Sequence, residues 1–486
     1  MRPAESAPPP DVPEALRLIS VAQAPVSTNP ISCTAIYVDL DGTLLRSDLL
    51  WESLLSAVRR SPLILLLLPF WLMKGREHLK RELARRANID VETLPYRPEI
   101  LERLLEAKSQ SRRIVLATAA DESLAREIAA HLQIFDAVLA SSPSNGNLKG
   151  QAKLTKIQQD SAGLPFAYWG DSDADLPIFA AASEALRITP HGSSFLHLFR
   201  AARAYQWVKN LLLFLPVATS HRLLDPLALG QAALSFAIFS LVASGNYLLN
   251  DLLDLPSDRR HPSKRLRPLA SGLLPIPHAL MGMLLLFAAS TWLTVAFTPA
   301  TFWPWIAGYF VLTNFYSFRL KQLLLVDLMA LSSLYTIRIM AGGAITGIPV
   351  SEWLVAFSMF IFTSLAFAKR FTELKRTLEN SQGALRGRAY QAQDLDIVRV
   401  AGPVSGYSAI VVMALYINSP TTLTLYHAPQ FLWLVCPLLA YWITRIWFLA
   451  NRGELDHDPI VFALKDPASY AVLAGAAASA AAATLL

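Results

Sequence analysis

The chain has 486 residues, of which 53% are hydrophobic and only 16% charged, and its 43 Lys and Arg outnumber 37 Asp and Glu to give a net charge of +6. Soluble globular chains carry about 25% charged residues, so the deficit points to lipid, and the length allows two or more domains. The mild positive charge fits a basic membrane face. No motif that reads DNA or RNA accompanies it, so nucleic acid is not an expected partner.

Residues 1–30 are rich in Pro, Ala and Ser, lack the apolar core of a signal peptide and read as a disordered tail, leaving the front domain on the side of synthesis. Cys33 and Cys436 fall in different expected domains and read as small buried hydrophobes, not a disulfide. Residues 31–190 alternate apolar strands with helical stretches. Ala35–Val38, Arg113–Thr118 and Phe166–Trp169 are expected strands, each ending in polar residues, at the edge where open parallel α/β sheets place ligands. An insert at about 47–105 is mainly helical and is expected to cap the sheet. Within it, Pro62–Met73 (PLILLLLPFWLM) is too short for a span of about 20 residues. It reads either as cap core or as a patch that dips into the bilayer, for which Trp51, Trp71 and the flanking basic residues argue.

The first strand opens into Asp39-Leu40-Asp41-Gly42-Thr43-Leu44. Two carboxylates two residues apart can face one site, one attacking phosphorus and the other shuttling a proton. Thr118 ends the next strand and offers a hydroxyl to phosphate, Lys153 or Lys149 supplies positive charge, and Gly170-Asp171-Ser172-Asp173-Ala174-Asp175 supplies carboxylates for Mg²⁺. In this order the four pieces resemble the HAD phosphohydrolase family over about residues 31–190, a Rossmann-type sheet with a helical cap. The resemblance implies Asp39 as nucleophile, Asp41 as acid/base, Thr118 and Lys153 on the phosphoryl group, and Asp39, Asp41, Asp171 and Asp175 around Mg²⁺. Lys153 is preferred over Lys149 because it begins the helix-like run KLTKIQQ. A degenerate, inactive HAD fold is the alternative.

Residues 191–204 form a linker, in which Phe195–Arg203 is expected as an interfacial amphipathic helix. Nine apolar spans come next, near 205–220, 228–249, 275–297, 302–318, 322–346, 352–368, 402–418, 429–449 and 467–486. With a cytoplasmic N-terminus, the inside loops 250–274, 319–321, 369–401 and 445–466 hold 17 Lys and Arg, and the outside loops hold one, Arg222. This bias predicts an inner (cytoplasmic) membrane protein with its front domain in the cytoplasm.

The second span ends in NDLLDLPSDRRHPSKRLRP. Asp251 and Asp254, three apart, share a helix face, which Asn250 can join and Asp258 would continue if Pro256 did not loosen the helix. Carboxylates at a membrane-helix end are costly, and their plausible use is Mg²⁺ with a bridging diphosphate. His261, Lys264, Arg265 and Arg267 suit phosphate oxygens. The stretch resembles the first Asp-rich motif of the UbiA superfamily, an all-α polytopic fold of nine transmembrane helices whose members act on prenyl groups or prenyl phosphates.

Tyr205-Gln206-Trp207-Val208-Lys209-Asn210, Lys321, Arg338 four residues before Gly342-Gly343, and Lys369-Arg370-Phe371-Thr372-Glu373-Leu374 extend the pattern, while the second DxxxD motif of aromatic prenyltransferases is absent. Over about residues 200–486 this resembles the decaprenyl-phosphate phosphoribosyltransferases. The resemblance implies transfer of 5-phosphoribosyl from phosphoribosyl diphosphate to a polyprenyl phosphate. Asn250, Asp251, Asp254 and Asp258 would serve Mg²⁺, Lys264, Arg267, Lys321, Lys369 and Arg370 would hold phosphates, and Lys209 would stand near the headgroup. Glu373 either replaces the missing acidic motif or makes a helix-end salt bridge. The HAD domain would then remove the 5-phosphate, giving polyprenyl-phosphoryl-ribose. The alternatives are an aromatic or lipoquinone prenyltransferase with an accessory phosphatase, and a lipid-binding scaffold with a decayed HAD domain.

Overall fold

The computed structural model describes residues 35–189, 194–379, 388–455, 459–463 and 465–486, so Cys33 and the N-terminal tail lie outside the described residues. Strand β1 (Ala35–Val38) runs into a tight turn at Leu40–Leu44, followed by helices α1 (Leu49–Arg60), α2 (Ile64–Met73) and α3 (Arg76–Arg86) and a 3-10 turn at Val91–Thr93. Then come α4 (Pro98–Ser109), β2 (Arg113–Asp121), α5 (Glu122–Leu132), β3 (Ala137–Ser141), α6 (Gln151–Asp160), β4 (Phe166–Gly170), α7 (Leu176–Ala181) and β5 (Glu184–Arg187). The chain divides into two compact units, one holding the chain up to Thr43 and Pro98–Ile188, the other Leu44–Arg97 and Thr189–Leu486.

In the first unit, five parallel strands lie in the order β3-β2-β1-β4-β5, with Ala35–Val38 opposite both Arg113–Leu116 and Phe166–Trp169. The three expected strands are present, and β3 and β5 flank them. The runs AIYV and FAYWG are buried throughout, as strands covered on both faces must be. Tyr37, Val115, Ile157, Tyr168 and Ile178 share the core beneath.

In the second unit, α1 starts on Asp48, whose side chain accepts from the Leu50 N–H (2.8 Å). Cap core does not describe most of the apolar run after α1: in α2 only Ile64 and Trp71 are buried. The remaining helices are α8 (Ser194–Ala201), α9 (Leu215–Thr219), α10 (Pro226–Leu253), α11 (Leu255–Arg260), α12 (Ile276–Phe297), α13 (Trp303–Phe318), α14 (Val326–Thr346), α15 (Glu352–Glu379), α16 (Leu395–Ile417), α17 (Pro420–Leu425), α18 (Val435–Arg452), α19 (Pro459–Ala463) and α20 (Pro467–Leu485). The amphipathic linker helix is α8, with Phe195 and Phe199 exposed.

Among the described residues seven helices, not nine, are long and apolar enough to cross a membrane: α10, α12, α14, α15, α16, α18 and α20. Two expected spans fall short. Residues 205–220 form a 3-10 stretch, Ala204–Phe214, that continues into the short α9. Helix α13 has 16 residues, about 24 Å against a hydrocarbon core of about 30 Å. The 3-10 stretch is pressed close to α14, where a Cβ on Gly342 would lie 2.2 Å from the Leu213 carbonyl oxygen.

Candidate active sites

In the first unit the chemistry gathers at the carboxyl ends of the central strands. Asp39 follows β1; its N–H donates to the Trp169 carbonyl (2.8 Å), and its Oδ1 accepts from the Leu40 N–H (2.9 Å). Helix α6 brings Lys153 Nζ to 3.1 Å from Asp39 Oδ1 and 3.0 Å from Asp175 Oδ2, with all three side chains buried. The Tyr168 hydroxyl donates to Asp175 Oδ2 (2.6 Å). Burial alone would lower the Lys153 pKa; the Asp39 and Asp175 carboxylates outweigh it and hold the ammonium charged. Lys149 is exposed.

Gly42 has φ +75°, and a Cβ there would lie 2.1 Å from Asp171 Oδ2. Glycine thus permits both the turn and the approach of the Asp171 carboxylate. Thr43 Oγ1 donates to Asp171 Oδ1 (3.3 Å). Burial, then the Asp39 charge, pushes Asp171 up to about 6. Asp41 is half-buried in the same turn. Thr118 is buried in β2, and its hydroxyl accepts from the Ala120 N–H (3.0 Å).

In the second unit Asp254 caps the end of α10, and α11 carries the motif onward to Asp258. Asp251 and Asp258 are both buried and share one cation: Arg267 Nη1 donates to Asp258 Oδ2 (2.5 Å) and Asp251 Oδ1 (3.2 Å). Arg203 donates to Asp251 Oδ1 (2.5 Å), and Lys264 Nζ lies 3.8 Å from Asp258 Oδ1. Asn250 Nδ2 donates to Ser317 Oγ on α13 (3.1 Å). Asp254 is half-buried. Among the described residues of either unit, no three Asp, Glu, His or Cys side chains converge closely enough to form a ready metal cage. Asp39, Asp175, Asp251 and Asp258 are instead paired with protein cations.

The UbiA prenyltransferase family model matches residues 212–465, just over half of the chain. This chain belongs to the UbiA prenyltransferase family. A haloacid dehalogenase-like hydrolase model matches residues 36–180, so the UbiA domain carries a HAD domain in front of it. The chain is 38% identical over 457 residues to an uncharacterised protein, y4nM, of Sinorhizobium fredii, covering 89% of this chain and 87% of that one. It is 30% identical over 283 residues to the decaprenyl-phosphate phosphoribosyltransferase of Mycolicibacterium smegmatis, covering 55% of this chain and 86% of that one. A UbiA homolog from Archaeoglobus fulgidus, solved with GPP and Mg²⁺, aligns with TM-score 0.46 at 16% identity over 59% of this chain and 99% of that one. With its long apolar helices, this UbiA chain is a multi-pass membrane protein.

The remaining candidates of the UbiA domain fall into two hydrogen-bonded groups. Arg338, buried in α14, donates from Nε to Asn210 Oδ1 (2.9 Å) and from Nη2 to the Tyr309 hydroxyl (3.1 Å). Lys209 Nζ stands 5.9 Å from the Tyr335 ring centre. Arg370 is fully buried, donating to Asp327 Oδ2 (2.6 Å), the Tyr316 hydroxyl (2.9 Å) and Glu373. Its guanidinium is occupied by protein acceptors, and Glu373 makes the helix-end ion pair that its spacing allowed. Lys369 is half-buried beside it. The Lys321 carbonyl accepts from Arg388 (3.4 Å), which also donates to Tyr316 (2.9 Å). Arg203 and Arg388 were not legible as site residues. Each lies far in sequence from its partner, and no motif spacing marks either one.

Proposed function

We infer that this UbiA chain is a two-step enzyme of the cytoplasmic membrane. Its UbiA domain transfers 5-phosphoribosyl from phosphoribosyl diphosphate to a polyprenyl phosphate, and its HAD domain removes the 5-phosphate to leave polyprenyl-phosphoryl-ribose. The observation that carries the reading is a combination in one chain. A UbiA domain 30% identical to a decaprenyl-phosphate phosphoribosyltransferase is joined to a buried Asp39–Lys153–Asp175 centre suited to a phosphomonoester.

In the first step a lipid phosphate oxygen attacks ribose C1, the C1–O bond to diphosphate breaks, and diphosphate leaves. Asp251, Asp254 and Asp258, with Asn250, offer the hard oxygen donors that Mg²⁺ takes and would hold it, and Mg²⁺ supplies charge neutralisation for the diphosphate. Arg203, Arg267 and Lys264 are the cations at hand for phosphate oxygens. Before ligand enters, Arg203 and Arg267 neutralise Asp251 and Asp258. With Asp251 and Asp258 taken over by Mg²⁺, Arg203 and Arg267 would be free for phosphate oxygens and neither buried carboxylate would lose its counter-charge. Lys321 and Lys369 make further phosphate contacts, Lys209 faces the lipid headgroup, and the apolar helices cradle the tail.

In the second step Asp39 attacks the phosphorus of the 5-phosphate, and Asp41 protonates the departing ribose O5. Asp41 then takes a proton from water, which attacks the aspartyl-phosphate and releases inorganic phosphate. Lys153 and the Leu40 N–H both engage Oδ1 of Asp39, which leaves Oδ2 for attack. Burial raises the Asp39 carboxyl above its usual range; the Lys153 ammonium opposes that rise and, with Thr118, holds phosphoryl oxygens. Asp171 and Asp175, beside Asp39 and Asp41, would hold Mg²⁺ here. The test is mass analysis of the lipid product. Wild type should yield polyprenyl-phosphoryl-ribose, and Asp39→Asn should accumulate its 5-phosphate while diphosphate release continues. A 5-phosphate retained by wild type would remove the HAD step from the sequence.

A further inference from the structure

Helix α2 is left unexplained by either reaction. Its sequence is ILLLLPFWLM, yet Leu65, Leu66, Leu67, Phe70, Leu72 and Met73 are exposed, Leu66 at 68%, Phe70 at 64% and Met73 at 86%. At 100° per residue these side chains sweep an arc of roughly 220°. Ile64 and Trp71, on the remaining side, seal α2 against Ala57 and Leu83 of its neighbouring helices. We propose that α2 lies in the plane of the same bilayer that the seven long helices cross, its exposed arc sunk among the acyl chains at the headgroup boundary.

Four features of the second unit select lipid as the occupant. The arc is too broad for a groove-binding partner, which covers a stripe of about 100°, whereas an acyl layer wets every direction at once. Ten residues reach about 15 Å, half the hydrocarbon thickness, so α2 cannot cross and must lie flat. Exposed basic residues stand at both ends, Arg59 and Arg60 before and Lys74 and Arg76 after, placed to meet anionic headgroups as in interfacial helices. Last, α1, which leads into α2, is fixed to the ends of membrane helices. Trp51 and Leu55 join the core formed by Leu252 of α10, Leu255 of α11 and Ile276 of α12. Glu52 and Arg259 form a buried two-toothed ion pair (2.6 and 3.1 Å), and Arg260 pairs with Asp90 (2.6 Å). The segment is thereby tethered to the mouth of the membrane helices.

The test uses the full chain with Cys33→Ser and Cys436→Ala, reconstituted in nanodiscs of phosphatidylethanolamine and phosphatidylglycerol. A nitroxide is placed at residue 66 or residue 70, with one at residue 92 as the aqueous reference. The proposal expects oxygen to relax the labels at 66 and 70 more strongly than a water-soluble nickel chelate does, and the reverse at 92. Strong relaxation by nickel at 66 and 70 would put α2 in water and overturn it. Weak relaxation by both reagents would mean a protein cover, a second copy or another chain, and would overturn it equally. Transfer activity of the labelled protein at the wild-type level certifies that the fold is intact.

Discussion

At the scale of single residues, each centre is organised by cations on buried carboxylates. Lys153 separates Asp39 from Asp175, so Lys153→Met leaves two buried acids with no counter-charge. Removing one partner of such a pair costs about 3–5 kcal/mol. We expect a lower melting temperature for the sheet unit and loss of turnover on a soluble phosphomonoester; an unchanged melt would contradict the pairing. In the UbiA domain, Asp251→Asn and Asp254→Asn should each lower phosphoribosyl transfer by on the order of a hundredfold or more. Near-wild-type rates for both at limiting Mg²⁺ would count against the proposed metal role. The acids were legible because the chemistry fixes their type and spacing. Arg203 was not, because its tie to Asp251 spans 48 residues and depends on a left-handed backbone at φ +54°.

At the scale of elements, β2 and α6 are joined by Asp160, which accepts from Arg113 (2.8 Å) and Tyr37 (2.7 Å). Burial alone would raise the Asp160 pKa; those hydrogen bonds overcome it and hold the carboxyl below its usual range. Its contribution to stability is therefore complete above the unfolded value of about 3.9 and lost as pH falls through the lower folded value. Hydrogen exchange in β2 and α6 should accelerate in that acid window, and Asp160→Asn should flatten the dependence; an unaltered acid profile would count against it. Elements of the membrane unit were legible where the helix carrying the apolar run reaches 19 residues or more. They were not legible at Ala204–Phe214, where the backbone winds as a 3-10 stretch, nor at α13, whose helix stops at 16 residues, because hydropathy reports composition and not path. Gly342 decides one such place. Gly342→Val would meet the Leu213 carbonyl and should cost about 1–3 kcal/mol by overpacking. Gly308→Ala, in α13 with open space around its Cβ, should be neutral or slightly stabilising, and comparison of thermal half-lives in detergent checks the pair.

At the scale of the whole molecule, the proposed cytoplasmic placement of the Asp-rich loop and the front domain rests on the 17-to-1 distribution of Lys and Arg over the loops expected from sequence. Single cysteines at 255–270 should resist an impermeant thiol reagent added to intact cells, and cysteines at 419–428 should react; the reverse pattern would separate the enzyme from a cytosolic sugar donor. The similarity to y4nM runs over 89% of the chain, so it includes both domains, in keeping with two reactions that share a lipid. Under the proposed sequence, a lipid-anchored intermediate would stay near the fused domain, where effective concentrations of tethered groups reach the millimolar range.

Phosphoribosyl transfer by this chain can be assayed directly. The purified full chain is supplied with polyprenyl phosphate, Mg²⁺ and phosphoribosyl diphosphate labelled in the ribose carbons. Label should enter the organic phase with one diphosphate released per ribose transferred, and Asp251→Asn should abolish both. No ribose in the lipid, together with prenyl transfer from a polyprenyl diphosphate to an aromatic acceptor, would contradict it.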